Sequence, residues 1–459
     1  MTPDLEWSDH YLSQYERHEH ERGGDSPDWL RKLRRSGIDD FVERGFPTTR
    51  DEEWRFTNVA PIAATTFSPA WDLGAFSDPK PDLLESFGLP DSKGPRLVFV
   101  GGSFIPALSH GLVSDGGIRV TDLAGAFKST PDIVEQCLGQ SVRSNLNAFS
   151  ALNTAFVHDG AFIYVPAHGV IEETVHLVFV GAGYDQARMA HPRVLVVAEQ
   201  NSQVRVIETY VSSSGVSSLT NAVTEVVLGQ NAVVDHYKVQ REDLKDFHIG
   251  EMYVQLDRGS NFSSHSITLG GSVARNDVMA RLGGEGGSCT LNGLYLSDGH
   301  RLVDNHTTID HAEPHCESHE VYKGILSGFS QGVFNGKIIV RPDAQKTDAK
   351  QTNKALLLSD NAQINTKPQL EIFADDVKCT HGATIGQLDD EALFYLRTRG
   401  ISQQDAASLL IHAFARDVID RVRVDELRAY LHNQVIEQLP KTLVGEVRPD
   451  EGDSTKEGS

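Results

Sequence analysis

The sequence predicts a mainly β protein: a parallel β-helix, or β-solenoid, core flanked by N-terminal and C-terminal α-helical regions. Two observations carry that prediction. From about residue 95 to 386, short runs of Val, Ile, Leu, Phe and Tyr alternate with Gly, Asn, Asp and Ser turns. Within this region, segments beginning at Asn201, Gln230, Gly259 and Gly287 repeat at spacings of 29, 29 and 28 residues. Near-constant spacing describes stacked coils, each burying its apolar face on the next. A sandwich would instead show turns about every 8–12 residues with no longer period.

Four units follow in order. Residues 1–94 read as mainly helical: Ser26-Pro27 is an N-cap followed by proline at the first helical position, and apolar residues then recur at helical spacing. A loop rich in Pro, Asp, Ser and Gly closes this unit near Asp91–Gly94. Residues 95–386 form the solenoid. Residues 387–440 return to helix. Gln387–Arg399 is amphipathic and stopped by Gly400, and Ser402 stands three before Asp405 as a capping box. Leu409, Leu410, Ala413, Phe414, Val418 and Ile419 make an apolar stripe, and Asp425 caps a last helix reaching Leu439. Residues 441–459 are acidic and rich in Gly and Ser, the composition of a disordered tail.

Composition limits the function. The chain has 459 residues, with 42 Lys+Arg against 64 Asp+Glu and a net charge of −22. That charge repels phosphate backbones and argues against nucleic acid as a partner. The first 25 residues are polar, and no run approaches the ~18 apolar residues of a membrane helix, so a cytoplasmic protein is expected, off the membrane. Cys137, Cys289, Cys316 and Cys379 form no C-x-x-C pair and are too sparse for a disulfide scaffold.

Several enzyme signatures are approached and missed. His311-Ala312-Glu313-Pro314-His315 has its Glu at the wrong place for a zincin, and Pro314 breaks the helix that would align two ligands. No C-x-x-C follows to complete a deaminase metal site. Gly332–Lys337 is one residue short of a phosphate loop, and Ile338 replaces the hydroxyl that would hold Mg²⁺. No nucleotide site is visible. Two constellations remain. His300, His306, His311, His315 and His319, with Cys316 among them, read either as a metal cluster or as hydrogen-bonded residues on solenoid turns and faces. Strand steps of four residues spread side chains over ~13 Å, which favours the second reading. Cys379 and His381 are two apart, so in a strand they project together. A thiolate beside an imidazole suits iron or zinc, yet two ligands do not complete a site. A structural Cys with a surface His is the competing reading.

Longer blocks carry a resemblance. They are Asp304–His311 (DNHTTIDH), Lys323-Gly324 with Gly332–Lys337 (GVFNGK), Gln351-Thr352-Asn353, Ala362–Ile372 (AQINTKPQLEI), Lys378–Gly386 (KCTHGATIG) and Glu391–Ile401 (EALFYLRTRGI). Together they resemble the SufB/SufD family of iron–sulfur cluster assembly proteins. Glu52–Thr57 (EEWRFT) and His311–Cys316 (HAEPHC) are most similar to the SufD branch. The resemblance implies a right-handed parallel β-helix and a non-catalytic scaffold subunit of a SufBCD-type complex that helps iron entry. It implies a heterodimer with a SufB-like paralogue through the β-helices. It also implies a SufC-like ATPase held by the C-terminal helices, with ATP hydrolysed in that separate subunit. By the same resemblance, His381, with Cys379 as a weaker neighbour, sits at the heterodimer interface and shares a transient iron or iron–sulfur cluster with the partner. No ligand role is carried onto His306, His311 or His315. The alternative is a cytosolic β-helix enzyme, either carbohydrate-active or a Cys/His hydrolase. The missing groove chemistry and the 8% aromatic content count against it.

Overall fold

The computed structural model describes residues 3–24, 26–72, 83–90, 93–143, 146–181, 186–212 and 215–438. The predicted tail at 441–459, Leu439, and residues 91 and 92 of the loop at Asp91–Gly94 lie outside these residues. Two long sheets, of 11 and 10 strands, take alternate strands from the chain and face each other across a common core. Together they wind a β-solenoid of about 7 turns. The predicted repeat is the coil. Gln203–Val211, Val233–Arg241, Asn261–Thr268 and Ser288–Ser297 are successive strands of one sheet, and Gln203, Val233, Asn261 and Ser288 stack in register. Val204, Val206, Val234, Phe262, Cys289 and Leu291 point into the shared core, where each coil covers the apolar face of the last.

The turns explain why the repeat is spelled in small polar residues. His168, Asn201, Asn231, Gly259, Gly286, His315 and Lys346 all have φ between 55° and 73°, one per coil. Each donates its backbone N–H to a carbonyl of the following coil, as in Asn201 N to Gln230 O at 2.8 Å and Asn231 N to Arg258 O at 2.9 Å. The left-handed region admits Gly freely and Asn with little strain, which accounts for four of the seven positions. Asn231 adds a side-chain rung, donating Nδ2–H to Asn201 Oδ1 at 3.0 Å.

Helices lie outside the sheets. At the N-terminus they span Pro3–Arg22 and Asp28–Arg44. Pro27 is the N-cap itself, one position before the first helical turn. Ser26 instead accepts a hydrogen bond from the buried Arg34 guanidinium at 3.0 Å. Short helices also run from Leu123 to Ala155, and the last of them, Ala148–Ala155, is buried along its whole length. All-round burial removes the helical periodicity that would mark it in the sequence.

Of three C-terminal helices, Asp390–Thr398, Gln403–Ile419 and Asp425–Gln438, the last two pack on the outer face of the 10-stranded sheet, and the first packs through Leu393 on Ala406 and Ala407 of the second. Ser402 caps the second by accepting from Asp405 N at 3.1 Å, as its spacing predicts. The buried stripe differs from the expected one. Ile411, Ala415, Val418 and Ile419 meet Ile267, Leu294 and Ile325, while Leu409 and Ala413 are exposed. Lys323 sets that rotation: its Nζ donates to Phe414 O at 3.0 Å and pairs with Asp417 at 2.8 Å. Among the described residues no helix is long and apolar enough to cross a membrane.

Candidate functional site at the open end of the solenoid

The last strand of each sheet ends the solenoid. Among the described residues, Gln363–Ile372 pairs only with Gln331–Val340, and Lys378–Gly386 only with Asp348–Leu357. Each presents an outer row of backbone donors and acceptors that no further coil covers, the geometry that accepts another strand. Apolar side chains are exposed on the same rim: Phe373 at 61% and Ile385 at 49%.

Both predicted site residues lie on Lys378–Gly386. Cys379 stands beside Ala349 and packs, half-buried, against Ile338, Val340, Ala344 and Ala374. Its side chain therefore enters the space between the sheets, and alternation sends His381 to the same side. His381 is exposed because no coil follows it. Burial pushes the Cys379 thiol pKa up, so the isolated chain presents a thiol. A partner's charge or a metal must lower that pKa before the sulfur becomes a good ligand. Below His381 in register stand Gln351 and Glu320, both buried, with Gln351 Nε2 donating to Glu320 Oε2 at 2.7 Å. Burial raises the Glu320 carboxyl to about 7 against the opposing hydrogen bonds of Thr307 and Gln351.

The histidine group does not converge. His315 occupies the left-handed turn position, and His300 stacks on Phe329 in another turn at a ring separation of 5.0 Å. His311 is buried, with Nε2 at 2.9 Å from Ser318 Oγ, and burial lowers its pKa to about 4. His319 is exposed. Cys316 is buried, its Sγ donating to Gly284 O at 3.4 Å. Among the described residues no three His, Cys, Asp or Glu side chains are placed to hold one metal ion.

His306 belongs to a different structure, which residue spacing did not reveal. Glu52–Thr57 lies across the outer face of the 11-stranded sheet and is pinned there. Thr57 Oγ1 donates to Asp304, Arg275 Nη1 donates to Glu53 O at 2.7 Å, and the Arg275 guanidinium stacks 3.7 Å from the Trp54 ring centre. Arg275 also pairs with Asp277 at 2.9 Å and Asp304 at 2.8 Å. His306 Nε2 meets Asp304 at 3.1 Å and Nδ1 meets Glu53 at 3.4 Å. Burial opposes a charge on His306, yet these carboxylates, Asp304 foremost, outweigh it and its pKa is pushed up to about 9. A cleft of about 800 Å³ opens beside the junction, with Arg44 and Lys337 among its cations and Asp51 among its anions. The available signal was that EEWRFT and DNHTTIDH, 247 residues apart at Thr57 and Asp304, both carried the family resemblance.

Comparison with known proteins settles the family. A model described as "SUF system FeS cluster assembly, SufBD core domain" matches residues 179–414, and one for the SufBD protein N-terminal region matches 5–177. An iron–sulfur cluster assembly SufBD family protein of Synechocystis is 34% identical over 397 residues, covering 85% of this chain and 86% of the relative. The chain belongs to the SufBD family. SufD of Escherichia coli is 30% identical over 406 residues (88% of this chain, 92% of that protein), and SufD of Bacillus subtilis 27% over 414 (88% and 93%). Membership places this SufBD protein in iron–sulfur cluster assembly and does not favour the carbohydrate-active or hydrolase alternative.

Proposed function

We propose that this chain is the SufD-like scaffold subunit of a SufBCD-type complex, and that the open end of its solenoid is one half of a shared assembly site. The carrying observation is the placement of Cys379 and His381 together on the last, uncovered strand. A SufB-like paralogue would continue the sheets there, bury Phe373 and Ile385, and bring a thiolate or carboxylate beside His381. The cargo is iron or a nascent cluster, bound transiently by His381, with Cys379 as a second donor once its thiol is deprotonated. The chain itself is non-catalytic.

A second surface suits the ATPase. In the C-terminal unit at 387–440, Phe394 is 68% and Tyr395 57% exposed, alongside Leu409 and Ile436. Exposed apolar side chains on three helices, two of which pack on the sheet, offer a SufC-like subunit a lever on the solenoid. In this reading, ATP-driven movement of that subunit opens or reshapes the paired β-helices, and the complex works in the cytoplasm. The test is copurification of the tagged full-length chain from its native cell. A SufB-like and a SufC-like subunit should be recovered with it in stoichiometric amounts. Recovery of a stable monomer with neither would overturn the reading.

A further inference from the structure

The second and third C-terminal helices carry a histidine pair that the scaffold role does not use. His412 Nε2 and His432 Nδ1 lie 3.3 Å apart, each on a half-buried side chain from a different helix. On the far side of the His432 ring, Nε2 contacts Asp420 Oδ1 at 3.1 Å. Asp420 is in turn held by Arg416, whose Nε donates to Oδ2 at 2.8 Å.

This is the layout of a metal clasp with its supporting carboxylate. With Zn–N bonds of about 2.0–2.1 Å, two nitrogens on a tetrahedral ion stand about 3.3 Å apart. A carboxylate on the second ring nitrogen fixes the tautomer, places the lone pair on the metal side and raises ligand basicity, as in metal-bound histidines generally.

We propose that His412 and His432 chelate a divalent transition-metal ion of the zinc class, tying the last two helices of the C-terminal unit together. Only two protein ligands are on hand, because no third His, Cys, Asp or Glu converges with them among the described residues. The other two positions would therefore hold water or a side chain from a docked partner. Imidazole nitrogens select Zn²⁺, Ni²⁺ or Cu²⁺ over Mg²⁺ and Ca²⁺. The competing account is a plain hydrogen bond between two neutral rings, with no ion.

Zn²⁺ titration of the full-length chain, with diethylpyrocarbonate footprinting read by mass spectrometry, separates the two. The clasp predicts that Zn²⁺ protects His412 and His432 together, at one metal equivalent, while Mg²⁺ does not. His412→Gln and His432→Gln should each weaken that binding event at least tenfold, and Asp420→Asn by a smaller factor. Unchanged modification of both histidines under saturating Zn²⁺ would overturn the proposal without recourse to any variant. Zn²⁺ affinity at the parental level in both glutamine variants would overturn it as well.

Discussion

His306 joins the Glu52–Thr57 segment to the sheet through Glu53 and Asp304. Its pKa of about 9 exceeds the 6.5 of an unfolded histidine. The stabilisation is therefore complete below about pH 6.5 and fades as pH rises through about 9. His306→Gln should be less stable than the parent at pH 6, by up to about 3 kcal/mol, with the difference closing towards pH 10; urea midpoints across that range test it. Glu320 has a different consequence. Its folded pKa of about 7 lies above the unfolded 4.5, so the parent loses stability as pH rises through 7 and the buried carboxyl must ionise. Glu320→Gln keeps the shape and removes that cost. It should raise stability at pH 8 by roughly 1–3 kcal/mol and leave it nearly unchanged at pH 4. The sequence made Cys379 and His381 visible because alternation in a strand is local information. The His306 junction was hidden, since its carboxylates come from Glu53, Asp277 and Asp304, which only the winding of the chain brings together.

Among the elements, the turn ladder is the feature that translates most directly into sequence. Of the residues that marked the repeat, Asn201 and Gly259 are left-handed positions themselves and Gln230 and Gly287 each stand next to one, so the period could be read without any alignment. Asn231→Ala should destabilise the solenoid by about 1–2 kcal/mol through backbone strain and the lost rung to Asn201. Asn231→Gly should be tolerated far better, and denaturant melts of the two variants compare them. The C-terminal helices were legible in number, and the Ser402 cap was legible because Ser402 and Asp405 act within one turn; Asp425, expected as a cap, lies instead inside the first turn of the last helix. Their rotation was not, because Lys323 fixes it from 91 residues away at Phe414. Lys323→Ala removes both partners of that anchor. Hydrogen exchange over residues 403–438 should then rise at least tenfold, with little change in strands 203–297.

For the whole molecule, the solenoid ends, among the described residues, on two uncovered strands and an exposed apolar rim, an edge that a further strand can extend. The fold class followed from the sequence because each coil reports its neighbour through a short, regular interval. The SufB-like partner is proposed from family resemblance, since nothing within one chain encodes the surface that meets it. Phe373→Lys with Ile385→Lys should weaken pairing with a SufB-like subunit at least tenfold while leaving the thermal midpoint of the isolated chain within a few degrees. The central claim is that the uncovered Cys379–His381 strand forms half of the assembly site. Iron and acid-labile sulfide, measured on the reconstituted three-protein complex carrying His381→Ala, test it most directly. The account predicts an intact complex whose cluster content falls severalfold; a complex that assembles clusters at the parental level would contradict it.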